Sequence, residues 1–100
     1  MMMQMQETTQ LMLSPNYKDR FKAEYVQTKI RHERLGALLV KIEAANRTAF
    51  ADPEKGEISV KMPPHDCPEH LLRDQFCAMR EYLNILEVRA VIEGIDLSSL

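Results

Sequence analysis

The sequence predicts an all-α protein: a long antiparallel helical hairpin with helices over about residues 15–45 and 68–93, an irregular loop between them, and assembly into a homo-oligomer. Three observations carry that expectation. The chain has only three glycines and no tryptophan, while Ala, Leu, Glu, Arg, Lys, Gln and Met are plentiful, and these residues give up little conformational freedom in a helix. Apolar residues recur at alternating spacings of four and three in two separate stretches, the signature of a helical seam. Between those stretches, "NRTAFADPEKGEISVKMPPHDCPEH" holds four of the five prolines, and proline interrupts the helical hydrogen-bond ladder.

The elements follow in order. Residues 1–13 read as a flexible N-terminal arm, without regular structure to about residue 10, whose Leu11, Met12 and Leu13 are available to dock on a neighbour. The opening "MMMQMQETTQLMLS" has neither a charged n-region nor a continuous apolar core, so it does not read as a secretory signal. Residues 14–100 read as a single helical-hairpin domain. In "SPNYKD", Ser14 is placed to cap the first helix and Pro15 to occupy its first position, where a missing N–H costs nothing. From there Phe21, Tyr25, Thr28, His32, Leu35, Leu39 and Ile42 form the seam, flanked by charged residues.

In the loop, Ile58, Val60 and Met62 alternate with polar residues, which predicts a short strand or extended segment. The second helix begins at Pro68, with Glu69 favouring its N-terminal dipole. Gly94 ends it, with Ile95 folding back as in a Schellman motif. Its seam is Leu72, Phe76, Met79, Leu83, Leu86 and Ala90. A hairpin covers only one stripe of each helix, so Leu38, Val40, Leu71, Ile85, Val88, Val91 and Ile92 are left partly exposed. Self-association is the expected remedy in so short a chain.

The charge balance narrows the partners. A formal net charge of −2 leaves no global basic field for duplex nucleic acid. No stretch approaches the ~18 apolar residues of a membrane span. Cys67 and Cys77 are the only cysteines, and they are expected as reduced thiols in a cytoplasm. "HDCPEH" with Cys77 supplies four ligand types, His65, Cys67, His70 and Cys77. Their spacing fits no common zinc site, and no metal or cofactor is expected. No nucleophile motif, phosphate-binding glycine loop or paired-carboxylate arrangement occurs, so the chain reads as a non-enzyme. Arg80 with Glu81, and Arg89 with Glu87, read as ordinary surface pairs.

Two features point to binding. Thr28 and His32 interrupt the seam where burial matters most. They serve either as register-fixing polar positions or, with Tyr82, as the floor of a pocket rimmed by Arg and Lys. In "YKDRFKAEY", Tyr17, Phe21 and Tyr25 stand a turn apart beside Lys18, Arg20 and Lys22. Guanidinium and ammonium groups hold anions through charge-assisted hydrogen bonds, and aromatic faces stack on bases. The candidate ligand-binding residues are therefore Tyr17, Lys18, Arg20, Lys22, Tyr25, Thr28, Lys29 and His32 on the first helix, with Arg73, Arg80, Tyr82 and Arg89 on the second.

"YKDRFKAEYVQTKIRHERL", a variable loop, and "CPEHLLRDQFCAMREYLNILEVRAVIEGIDL" together resemble the small proteins of gut bacteriophages and prophages named for their relation to a crAss-like phage gene product. The resemblance covers roughly residues 16–45 and 67–97. It departs at residues 46–66, which are longer and less regular than that family's usual connector. A looser similarity, in architecture, is to the small oligomeric helical proteins of phages that act as sponges for immune messengers, the anti-CBASS and anti-Thoeris proteins. That similarity implies a protein of the infected host's cytoplasm. It would bind a cyclic-oligonucleotide or ADP-ribose-type second messenger between subunits without cleaving it. The alternative is a helical module that binds a host or phage protein through its exposed apolar stripes. A DNA-binding regulator fits less well, because no short helix-turn-helix spacing is present.

Overall fold

A computed structural model of the chain describes residues 3–98 and residue 100. The 3₁₀ turn Met5–Glu7 runs into α1 (Thr8–Met12); α2 spans Tyr17–Arg47 and α3 spans Glu69–Glu93. A second 3₁₀ turn, Pro53–Lys55, lies in the connection. All regular structure among the described residues is helical. The 31 residues of α2 extend about 46 Å, and the molecule is elongated at 61 × 24 × 23 Å.

The start of α2 is capped differently from the expectation. Asn16 is the N-cap, and its side-chain oxygen accepts from the Lys18 N–H at 3.0 Å. Ser14 supports this cap from one step outside. Its hydroxyl accepts from the Asn16 N–H and donates to Asp19 Oδ2 at 2.7 Å. Pro15 therefore precedes the helix and fixes the approach of the chain. At the other end, the Thr48 hydroxyl donates to the Ala44 carbonyl and accepts from the Val60 N–H. That single side chain ties the connection back to α2. Ile58, Val60 and Met62 are exposed and form no strand, because no strand among the described residues offers them a hydrogen-bonding edge.

Pro68 is the N-cap of α3 rather than its first helical residue, with extended ψ of 142°. Its carbonyl accepts from Leu71 and Leu72. The C-terminus follows the expected pattern. Gly94 has φ 71°, the left-handed conformation that disfavours a Cβ, and the Ile95 N–H returns to the Ala90 carbonyl at 2.8 Å. Ile95 is buried by that turn.

Contacts between the long helices pair rising numbers on α2 with falling numbers on α3. Arg89 lies over the Phe21 ring, His32 stacks on Phe76, and Asn46 bonds Glu69. Phe21, Tyr25, Val26, Leu83, Leu86, Ala90 and Ile95 form the main core cluster, while Leu39, Ile42 and Ala45 are buried farther along α2. On α3 the buried and half-buried apolar residues are those of the expected seam. Leu71, Ile85, Val88, Val91 and Ile92 remain exposed, as does Val40, whereas Leu38 is half-buried.

The arm departs from an unstructured segment. Met5–Met12 is helical and packs on α2. Thr8 is 1% exposed; its hydroxyl donates to the Met5 carbonyl and accepts from Gln27 Nε2 at 2.8 Å. Met3 of the arm and Ile30 of α2 are partly buried against the core cluster, and Ala23 is buried on α2.

Candidate functional site

The seam between α2 and α3 has two flanks, set by the 100° step per residue of a helix. One flank opens into a cleft of about 440 Å³, lined by Tyr25, Lys29, His32 and Glu33 from α2 and by Phe76, Arg80, Leu83 and Glu87 from α3. That volume suits a small organic ligand. The position of His32 explains the polar break in the seam. Its ring stacks on Phe76 with centroids 4.1 Å apart and planes at 19°. Room for this contact comes from Gly36, one turn on, where a Cβ would lie 2.8 Å from Phe76 Cε1. A polar seam residue and a helical glycine together admit an aromatic ring across the interface. The His32 Nε2 atom is buried without a protein hydrogen-bond partner, and an unsatisfied buried polar atom of this kind is uncommon.

Two cations stand above that floor. Lys29 Nζ lies 5.7 Å from the centre of the Tyr25 ring. Among the described residues, the ion pairs are Arg47–Glu43, Arg73–Glu69 and Arg89–Glu93, each one helical turn apart. Arg80 takes no part in them. The sequence shows why: four residues before it is Phe76 and four after it is Asn84, so no carboxylate stands one turn away. An unpaired guanidinium beside aromatic faces can bind a phosphate and a base together.

The opposite flank is closed. Arg89 Nε donates to Glu93 Oε2 at 2.7 Å. Arg89 holds the Glu93 carboxyl below its ordinary range, with a smaller contribution from the Tyr17 hydroxyl. Loss of solvent and then the Glu93 carboxylate push the Tyr17 hydroxyl up. The Tyr82 hydroxyl is raised chiefly by Glu24.

The structure thus divides the expected binding residues. Tyr25, Lys29, His32 and Arg80 share the cleft. Tyr17, Tyr82 and Arg89 belong to the closed flank, so Tyr82 is not part of the cleft floor; Leu83 and Phe76 are. Thr28 is half-buried on the seam. Arg73 is tied to Glu69, and Arg20 donates to the Ser14 carbonyl at 2.7 Å. Lys18 lies near Glu93 and Lys22 near Asp96. Lys22 is also one heptad before Lys29, on the cleft side of α2. The surface pairing expected for Arg89 with Glu87 is instead Arg89 with Glu93, which leaves Glu87 to the cleft. Phe76 and Leu83 carried only a seam signal in the sequence, and Glu33 and Glu87 only that of solvated surface.

His65 Nδ1 meets the Pro63 carbonyl at 2.8 Å, Cys67 is half-buried and Cys77 is exposed.

Comparison with known proteins returns no match among curated proteins and none among solved structures. A family model, Sequestin, matches residues 15–92. The matched span takes in all of α2, α3 as far as Ile92 and every residue that lines the cleft, and on it the chain belongs to the Sequestin family.

Proposed function

We propose that the protein is a phage-encoded anti-defence sponge. It binds a nucleotide second messenger of bacterial immunity, of the cyclic-oligonucleotide or ADP-ribose type, and withholds it without cleaving it. The observation that carries the reading is the cleft itself: Arg80 and Lys29, both outside the ion pairs found among the described residues, line it with an aromatic floor of Tyr25, His32 and Phe76. Charge-assisted bonds to phosphate and stacking on a base are what such a constellation offers. The family name, Sequestin, denotes sequestration and supports the same reading at the coarser level of a captured molecule.

In this proposal α2 and α3 form an antiparallel hairpin that self-associates in the cytoplasm of the infected host. No helix among the described residues is long and apolar enough to cross a membrane. A second reading, a helical module for a protein partner, rests on the exposed Leu71, Ile85, Val88, Val91 and Ile92 of α3. Polar substitutions there would abolish partner binding and leave nucleotide binding intact.

A thermal-shift screen with cyclic di- and trinucleotides and ADP-ribose derivatives tests the sponge. A ligand at a hundredfold excess over Kd adds about 2.7 kcal/mol of stability. Intact ligand recovered after denaturation distinguishes a sponge from an enzyme. No shift with any nucleotide of the panel would remove the sponge for that panel and favour the partner module.

A further inference from the structure

The cleft contains as many carboxylates as cations. Glu33 follows Lys29 by one turn on α2, and Glu87 follows Arg80 by two turns on α3. None of the four enters an ion pair among the described residues. A site made only to hold phosphate gains nothing from two carboxylates in its wall, because each repels the anion that the cations attract. A carboxylate accepts hydrogen bonds and donates none. Glu33 and Glu87 are satisfied by a ligand only if it brings donors of its own.

We infer that Glu33 and Glu87 determine the specificity of the cleft by accepting hydrogen bonds from the ribose hydroxyls of a ribonucleotide whose phosphate lies on Lys29 and Arg80. The inference rests on the sponge reading and deepens it. In a nucleotide the sugar joins the base to the phosphate. With the base on the aromatic floor and the phosphate on the cations, the sugar crosses the walls of the cleft, where the two carboxylates stand. The balanced charge also selects against polyphosphates, which bring several negative charges and no hydroxyl donors. The cleft is thereby fitted to ribonucleotides of low phosphate content.

Calorimetry on the full chain tests this with cyclic di-AMP, ADP-ribose, the 2′-deoxy form of each, and inorganic pyrophosphate. The proteins are the wild type, Glu33→Gln and Glu87→Gln. Both positions are exposed, and a melting curve for each variant checks the fold. For whichever ribonucleotide binds, the 2′-deoxy form is expected to bind about tenfold more weakly, the equivalent of one hydrogen bond to a charged group. Each Glu→Gln change weakens the ribonucleotide by about as much and tightens pyrophosphate, since a repelling charge is gone. A residue with a merely structural role would not move the two ligands in opposite directions. Equal affinity for ribo and deoxy forms, or Glu→Gln variants that bind the ribonucleotide as well as the wild type, overturns the inference and leaves the sponge standing. Binding of pyrophosphate without either ribonucleotide overturns the inference as well. A wild-type protein that takes up no phosphate-bearing probe overturns the sponge and the inference together.

Discussion

The two flanks of the α2–α3 seam carry the same residue types and use them differently. On the closed flank, Arg89 is paired with Glu93, and the carboxylates Glu93 and Glu24 help raise the hydroxyls of Tyr17 and Tyr82. On the open flank, Tyr25, Lys29, Glu33, Arg80 and Glu87 surround a cleft, and their charges stay outside the ion pairs found among the described residues. The difference follows from one-turn spacing on α3. Arg73 has Glu69 and Arg89 has Glu93 at a distance of four residues, but Arg80 has Phe76 and Asn84. Pairing within a helix neutralises an arginine locally, and its absence leaves a guanidinium available to something else. Composition alone cannot distinguish the two flanks; the register of charges along one helix does.

The largest effect is expected where the flanks share a support. Leu86 is 1% exposed and belongs to the core cluster beneath both. Leu86→Ala should cost about 2–5 kcal/mol, the transfer term plus the cavity left behind. Denaturant titration measures it. A loss under about 1 kcal/mol would mean that this seam does not hold the helices together.

A paired substitution then separates the flanks. Arg80→Ala should leave the melting temperature near that of the wild type and weaken nucleotide binding about ten- to a hundredfold, the worth of a charge-assisted contact. Arg89→Ala should do the reverse. It removes a partner of Glu93 and a cation over Phe21, so stability falls slightly while nucleotide affinity holds. Equal losses of affinity in the two variants would contradict the assignment of the cleft to one flank.

Gly36→Ala sharpens the comparison at the edge of the open flank. Alanine favours the helix by about 1 kcal/mol over glycine, but its methyl would meet the Phe76 ring edge at 2.8 Å. Overpacking of that kind costs about 1–3 kcal/mol, so a net destabilisation of up to about 2 kcal/mol is expected. Shortening the obstruction with Phe76→Leu should make the double variant less unstable than the sum of the single changes. A stabilised Gly36→Ala protein would show that the ring moves freely and that His32 does not need it.

Much of this fold was legible in the sequence, for a physical reason. Seam residues Leu72 through Ala90 and the Gly94 stop are local patterns whose period is fixed by the helix itself. The cap at Asn16 was obscured by Ser14, an equally competent cap two residues earlier. The packing of α1 on α2 was hidden because α1 is a segment of five residues, too short to announce itself by periodicity. In the cleft, the expected pair of Arg80 with Glu81 is not among the ion pairs of the described residues, and the neighbours of Arg80 at four residues carry the reason. The placement of Tyr82 and of Glu87 was not legible. Which side of a seam a flanking residue occupies emerges only when the partner helix is set against it.

The smallest effect is electrostatic and belongs to the closed flank. Glu93 is held below its ordinary 4.5, first by Arg89. Glu69 is likewise lowered, first by Arg73 and then by Asn46. A carboxyl whose folded pKa is depressed contributes stability that is fully present above its unfolded value and lost as pH falls through the folded one. Acidification below about pH 4.5 should therefore lower the melting temperature. Glu93→Gln should flatten the part of that acid limb that Arg89 creates. The tyrosines act at the other extreme. Tyr17 and Tyr82 are raised above 10.0, so folding favours their neutral hydroxyls. That contribution is present below pH 10 and is lost as pH rises through the folded values. Tyr17→Phe should remove part of the alkaline limb without touching the acid contribution of Glu69. Both groups are solvent-facing, so each change is small and shrinks further in high salt. Melting curves from pH 3 to 11 at two salt concentrations check it. An acid limb unchanged by Glu93→Gln would place the closed flank's contribution in packing against Phe21 rather than in its charges.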